Sequence, residues 1–345
     1  MKILVLKRDK LGDLLLATPL LRTLRQHFPD ALIDLCASQY NAWVMQGNRH
    51  LSNLYAYPRV RIGRRFAPWN AVAQLRQIAR FRARTYDVVI VGQGEYSPRA
   101  VKRALWVNAV RTIAYVDGNS EHGTRVTDPL EPPTGGHEAQ RMLALLRPLG
   151  IFADLPNRAP DYSAPPAAIE SARGWLREHG LLPFQFIVLG LGARRPRKQP
   201  TAAQIVRWAT RLNREYRLNT VLMWTPGGAR NDLYPGDDEL ADQIVRAGVP
   251  GLLPFRAPLQ PALGMIWQAR ASVFPDSGLM HFASAAPHGV VGLFGDPPQF
   301  AATWHPLGPI STYLVGASVE DIADADLFHA LARQFRMSGE RNAKP

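Results

Sequence analysis

The chain has 345 residues, 46% of them hydrophobic and 20% charged, which is the composition of a globular protein too long for one ordinary core and points to roughly two domains. No stretch reaches the ~18 uninterrupted apolar residues of a membrane span, and the single cysteine, Cys36, excludes an internal disulfide and fits a reducing cytoplasm. The formal net charge of +13 favours anionic company, whether nucleic acid, anionic lipid or a phosphorylated substrate, without choosing among them.

Ile3-Leu4-Val5-Leu6 is a short strand-like apolar run, and the charges of Lys7 to Asp13 end it too early for an export signal. A turn and a helix beginning near Gly12 then place Asp13 at the carboxyl edge of a parallel sheet, where open α/β folds build their sites. Asp13 is the candidate general base. The alternative is a first-turn acid that only stabilises the helix end. Leu32 to Cys36 reads as the next strand, with Cys36 a small core residue.

Arg59, Arg61, Arg64, Arg65, Arg76, Arg80, Arg82 and Arg84 crowd the following segment, with Arg99, Lys102 and Arg103 soon after. Within it, Trp69 to Arg84 has the spacing of a helix with one basic face, which is either an anion-binding surface or a solvated one. The chain has no zinc-finger spacing and no glycine-aromatic motif of the RNA-recognition type, so no nucleic-acid partner is expected. Further strands fall at Val88 to Val91 and Thr112 to Val116, and a helix begins near His137. Pro156, Pro160, Pro165 and Pro166 make Asp154 to Pro166 an interdomain linker.

The second half restarts with a helix near Ala167 to His179 and strands at Phe186 to Leu189, Thr220 to Met223, Ser272 to Phe274 and Val290 to Leu293. This alternation predicts parallel sheets with helical crossovers, and two such halves facing across a cleft. Asp276-Ser277-Gly278 lies where a strand turns into a helix over Leu279 to Ala286, so backbone amides and the Ser277 hydroxyl could hold phosphate oxygens. The competing reading is an ordinary Asp cap. His281, one turn later, lies on the same side and either reaches a phosphate or buttresses the loop. Gly190 to Lys198, with Gly192, Arg194, Arg195 and Lys198, is a second phosphate-loop candidate, and the alternative is a charged surface loop.

Neither Gly190 and Gly192 nor Gly92 and Gly94 have the third glycine of a dinucleotide fingerprint, so nicotinamide chemistry is unsupported, and no Walker loop is present. His137-Glu138 has no second histidine four residues on, and Asp324-Ala325-Asp326 is a weak metal-sugar pattern at a helix start. No metal and no cofactor are expected. The last amphipathic segment, about Val319 to Phe335, is either a helix closing over the cleft or one packing back on the first domain.

Lys7-x-Asp9-x-x-Gly12-Asp13 with Thr18-Pro19-Leu20-Leu21 and Phe28-Pro29, followed by Asp276-Ser277-Gly278-x-x-His281 and Leu293-Phe294-Gly295, resembles the ADP-heptose:lipopolysaccharide heptosyltransferases, glycosyltransferase family 9. The resemblance runs from about Met1 to Pro306. It implies a GT-B fold of two Rossmann-like domains: residues 1–155 binding the acceptor, residues 156–318 binding the nucleotide sugar, and a C-terminal helix and tail at 319–345. It further implies an inverting, metal-independent transfer of heptose from ADP-heptose to a Kdo or heptose residue of the lipopolysaccharide inner core.

Carried over onto this sequence, the resemblance makes Asp13 the catalytic base and Lys198 the donor-phosphate lysine. Donor binding also falls on Gly192, Arg194, Arg195, Asp232, Ala257, Asp276, Ser277, Gly278 and His281. Acceptor binding falls on Lys7, Gly12, Arg61 and Arg64, and the N-terminal arginines would face both the anionic acceptor and the cytoplasmic face of the inner membrane as a peripheral protein. Three features depart from the family pattern. Lys198-Gln199-Pro200 stands where relatives often have Lys-x-Trp-Pro, Arg194 and Arg195 stand where relatives often have small or hydroxylated residues, and Arg230, with Asp232 nearby, stands where relatives carry a ribose-binding glutamate. The alternatives are a family 9 transferase using another nucleotide sugar or a protein acceptor, and a noncatalytic glycan-binding module of the same fold.

Overall fold

A computed structural model describes residues 1–7, 10–62, 65–118, 120, 122–193, 195–228 and 236–342. It divides into two compact units, Met1–Pro156 and Asn157–Pro345. The division falls inside the proline-rich linker read from the sequence, one residue beyond the expected boundary.

Unit 1 runs β1 (Lys2–Lys7), α1 (Leu11–Leu15), α2 (Thr18–His27), β2 (Leu32–Ser38), β3 (Asn53–Tyr57), β4 (Arg61–Ile62), β5 (Arg65–Phe66), α3 (Pro68–Arg84), β6 (Val88–Val91), α4 (Pro98–Val107), β7 (Arg111–Tyr115), β8 (Asp128–Leu130) and α5 (Glu138–Ala144). Its main sheet is parallel, in the order β3-β2-β1-β6-β7-β8. The central strands are buried on both faces, which explains why β1 and β6 read as continuous apolar runs rather than alternating ones. β4 and β5 form a separate antiparallel pair.

One charge lies inside this sheet. Asp34 of β2 is fully buried, accepts from Tyr86 Oη at 2.6 Å and Asn53 Nδ2 at 2.8 Å, and has Arg84 Nε at 3.1 Å. Such a carboxylate is tolerated only because its oxygens are matched. Burial, and then the bond to Asp34, push the Tyr86 hydroxyl well above its ordinary pKa.

Unit 2 runs α6 (Pro166–Glu178), β9 (Phe186–Gly190), α7 (Ala202–Tyr216), β10 (Asn219–Met223), α8 (Asp238–Arg246), β11 (Leu252–Phe255), α9 (Leu259–Gln268), β12 (Ala271–Pro275), α10 (Gly278–Ala285), β13 (Val290–Phe294), α11 (Pro298–Trp304), β14 (Thr312–Val315) and α12 (Asp324–Asn342). Its sheet, β11-β10-β9-β12-β13-β14, is parallel and repeats the topology of the first. In both sheets the strand order reverses beside the first strand, between β1 and β6 and between β9 and β12. Ligands of open α/β sheets bind at the carboxyl ends of the strands at that switch point.

The closing segment corrects one expectation. Residues 319–342 are not a separate element: Val319, Ile322, Leu327, Phe328 and Leu331 are buried in the core of unit 2 with Trp208 and Leu212 of α7. Asp324 at the start of α12 also accepts from Trp208 Nε1 at 2.7 Å and Arg207 Nε at 2.8 Å. The apolar face read from the sequence packs within unit 2. No helix among the described residues is long and apolar enough to cross a membrane.

Candidate functional site

In unit 2 the switch point brings together three strand ends. Gly190 closes β9, and a Cβ there would come within 2.1 Å of the Phe274 ring, so only glycine lets β9 lie this close to β12. The chain then makes a 3₁₀ turn, Pro196–Lys198, that carries Lys198 inward until only 8% of the residue is exposed. Lys198 Nζ donates to Asp276 Oδ2 at 2.7 Å, lies 2.5 Å from Asp296 Oδ2 and 4.1 Å from the Phe300 ring centroid. Arg197 Nη2 donates to the other oxygen of Asp296 at 2.5 Å. Gly295 permits this meeting, since a Cβ there would fall 2.1 Å from the Arg197 carbonyl oxygen.

Two cations and two carboxylates are thus matched inside the cluster. An arriving diphosphate would find no surplus charge there, and the donors left for it lie next door. Ser277 is the extended N-cap of α10 and makes no side-chain capping bond, which leaves the first amides of the helix, starting at Gly278, for an anion. His281 is buried one turn further on, and its carbonyl accepts from Ser284 Oγ at 2.7 Å. Arg195 is the exposed N-cap of the 3₁₀ turn.

A second cluster lies beside Gly192. A Cβ there would be 3.2 Å from Thr225 Oγ1 and 3.8 Å from Asp237 Oδ2. Asp237 accepts from Gln199 Nε2 at 2.5 Å while its own amide donates to the Thr225 carbonyl at 2.9 Å. Burial raises its pKa above the ordinary carboxylate range, against the opposing pull of the Gln199 bond and of the Thr225 backbone on the carboxylate. Asp237 and Asp296 were both missed by sequence reasoning. The available signal for Asp296 was Leu293-Phe294-Gly295-Asp296, an acid placed directly after a buried strand as Asp276 is. Ala257 lies past the end of β11, before α9.

In unit 1, Asp13 is the third residue of α1, and its Oδ2 accepts from the amide of the N-cap residue Lys10 at 3.3 Å. The helix-end role weighed from the sequence is therefore present, yet Asp13 is half-buried and forms no ion pair among the described residues. Lys7 is fully buried at the end of β1, 3.5 Å from Glu138 Oε1, which also accepts from the Gly94 amide at 3.0 Å. His137 caps α5 by accepting from the Ala139 amide at 3.1 Å. Gly12 is buried in α1, and Arg61 lies in β4. Asp9, Arg64, Arg194, Arg230 and Asp232 lie outside the described residues.

The sequence matches the profile of glycosyltransferase family 9 (heptosyltransferase) over residues 74–320. The chain belongs to that family. Lys198, Asp276 and Asp237 lie inside the match, whereas Asp13 and the β1 turn precede it. Over 142 residues the chain is 31% identical to lipopolysaccharide heptosyltransferase 3 of Escherichia coli K12, a match spanning 41% of this chain and 40% of that protein. With a second Escherichia coli lipopolysaccharide heptosyltransferase 3 the identity is 24% over 296 residues, 82% of this chain and 80% of the other.

Two solved structures share the fold along nearly the whole chain. A glycosyl transferase family 9 protein from Veillonella parvula superposes with a TM-score of 0.79 at 19% identity, covering 97% of each chain. ADP-heptose lps heptosyltransferase II of Escherichia coli gives 0.72 at 20% identity, covering 98% of this chain and 100% of that one. This family member is accordingly a glycosyltransferase with the GT-B fold, two Rossmann-like units as the paired motifs implied.

Proposed function

We propose that the protein transfers heptose from ADP-heptose to a Kdo or heptose residue of the lipopolysaccharide inner core, with inversion and without a metal. The observation that carries the reading is the switch point of unit 2, where Lys198, Asp276, Asp296 and the uncapped start of α10 converge at the carboxyl ends of three strands. The reading is supported by the similarity to a lipopolysaccharide heptosyltransferase 3 and to an ADP-heptose lps heptosyltransferase II.

In this reading the amides at Gly278 and the Ser277 hydroxyl hold the diphosphate, and Lys198, released toward it from Asp276, offsets charge that develops on the leaving ADP. Asp276 is then free to accept from a heptose hydroxyl. Asp237, beside Gly192, takes the place of the ribose acid that the sequence reading sought at Asp232. Asp13, free of any described cation, accepts the proton of the acceptor hydroxyl as that oxygen attacks the anomeric carbon.

In this reading the acceptor is anionic and lipid-anchored, which the positive charge of unit 1 suits, and the protein works as a peripheral one on the cytoplasmic face of the inner membrane. Arg61 and Arg64 remain the acceptor arginines of this reading.

The test is calorimetric titration with ADP, UDP and GDP, with and without magnesium, followed by transfer from ADP-heptose to a truncated inner-core acceptor. The reading expects ADP to be preferred, with little change on adding magnesium, and a product of inverted anomeric configuration. Preference for UDP or GDP would move the donor to another sugar nucleotide; nucleotide binding without transfer would leave a noncatalytic module.

A further inference from the structure

Away from the switch point, unit 1 has a pocket of about 580 Å³ at the carboxyl ends of β2 and β3, between α3 and α4. Ser38, Arg59, Arg99, Lys102, Arg103 and Trp106 line it, and no acidic residue among the described ones does. Four cations around one concavity repel one another unless an anion sits among them. Among the described residues, Arg59, Arg99 and Lys102 form no ion pair.

The walls are held rather than loose. Arg103 Nη2 donates to Gln74 Oε1 at 3.2 Å, Gln74 Nε2 donates to the Pro58 carbonyl at 2.6 Å, and the Arg103 guanidinium lies 4.7 Å from the Tyr57 ring centroid. Arg59 lies 4.7 Å from the Tyr40 ring centroid and Lys102 5.7 Å from that of Trp106. At the floor, Ser38 is 1% exposed and, among the described residues, its hydroxyl has no hydrogen-bond partner. A buried hydroxyl without a partner costs free energy that a ligand oxygen would recover. Trp106 presents an indole that is 45% exposed at the rim, a flat apolar face of the kind that covers the C–H face of a sugar ring.

We infer that this pocket binds a phosphomonoester carried on a saccharide, its oxygens among Arg59, Arg99, Lys102 and Arg103 and its sugar against Trp106. The inference rests on the acceptor reading above and specifies it. Asp13 follows β1 at the same edge of the same sheet, so a phosphate held here would anchor the acceptor at a sugar other than the one whose hydroxyl reacts. The pocket is a single concavity with one exposed aromatic, not the extended basic stripe with stacked aromatics that a nucleic acid requires. Bidentate guanidinium contacts suit a phosphate more than a neutral sugar.

The test uses the full chain and compares glucose 6-phosphate with glucose by calorimetry. The phosphorylated sugar is expected to bind and glucose is not, and R99Q/K102Q is expected to weaken binding by at least about tenfold. Both substituted residues are exposed in α4, so the fold should persist, and an unchanged circular dichroism spectrum and melting temperature verify that it does. A charge-matched variant in unit 2, R214Q/R246Q, should bind the sugar phosphate as the parent does.

Equal binding of glucose, no loss in R99Q/K102Q, or an equal loss in R214Q/R246Q overturns the inference. Vesicles of phosphatidylcholine with phosphatidic acid separate a lipid phosphate from a sugar-borne one. If R99Q/K102Q lowers vesicle binding and leaves glucose 6-phosphate binding intact, the saccharide assignment falls. Failure of the heptosyl reading would instead appear as absent ADP binding in the parent protein, with the sugar-phosphate result standing.

Discussion

The turn after β1 in unit 1 and the turn after β12 in unit 2 place an aspartate at the start of a helix, at the carboxyl edge of a parallel sheet of the same strand order. Their surroundings differ. Asp276 accepts from Lys198 at 2.7 Å inside a cluster that Asp296 and Arg197 complete, whereas Asp13 accepts one long bond from an amide at 3.3 Å and pairs with no cation among the described residues. A carboxylate held by a buried lysine has its lone pairs engaged by a counter-ion, whereas one bound only to a backbone amide leaves oxygen lone pairs open to a hydroxyl. The same local pattern therefore yields a counter-ion in one unit and a candidate base in the other. Charge follows a similar division, for unit 1 holds 22 Lys and Arg against 12 Asp and Glu, and unit 2 holds 19 against 16.

The largest expected effect comes from Lys198→Ala. It leaves Asp276 without its cation and Asp296 with Arg197 alone, at a cost of about 3–5 kcal/mol in stability for breaking a buried pair. Thermal unfolding reads the loss, and ADP binding should fall with it; an unchanged melting temperature would show that the cluster does not hold unit 2 together. Next is Asp13→Asn, for which kcat is expected to drop about 10²-fold or more while ADP affinity and melting temperature stay where they were. A simple loss of stability with kcat intact would reduce Asp13 to a helix-end acid and erase the contrast.

Arg76→Gln with Arg80→Gln removes two exposed charges of α3, a helix that also exposes Trp69 and Leu75. Binding to vesicles containing anionic lipid should weaken by about 1 kcal/mol per charge, measured by co-sedimentation. An equal effect on neutral vesicles would assign the binding to the apolar side chains.

The smallest effect is a pH dependence at Asp237. Its raised pKa means that the ionised form is the costly one in the folded protein. The contribution it makes to stability is full below the ordinary carboxylate pKa and is lost as pH rises through the raised value. Asp237→Asn should therefore raise the melting temperature at neutral pH and leave it unchanged in acid, while weakening ADP. A variant that destabilises at neutral pH would mean that the bond from Gln199 outweighs the cost of burial.

How much was legible from the residues varies by element. Apolar runs such as Val88 to Val91 and Phe186 to Leu189 were read as strands and are strands, because a parallel strand buried on both faces shows itself as a continuous run. The edge strands β3 and β14 escaped, since Asn53–Tyr57 and Thr312–Val315 are only partly buried and their composition is mixed. Asp276, Ser277, Gly278 and Lys198 were singled out separately, and the fold brings them to one place. Asp237 and Asp296 could not be joined to them, because no spacing along the chain encodes a contact made across neighbouring strands.

By itself the sequence determined the class of the protein: two α/β halves, a proline-rich join, the aspartates after β1 and β12, and the family that those paired motifs imply. These are properties of local order, set by which residues bury on both faces of a strand and which can turn a strand into a helix. Only the tertiary structure decided what each charged group is doing. It closed Lys198 between two carboxylates, buried Lys7 beside Glu138, set α12 into the core of unit 2, and gathered Arg59, Arg99, Lys102 and Arg103 around one pocket. The reason is physical. The state of an ionisable group depends on desolvation and on charges within a few ångströms, and those neighbours come from strands and helices remote in the chain.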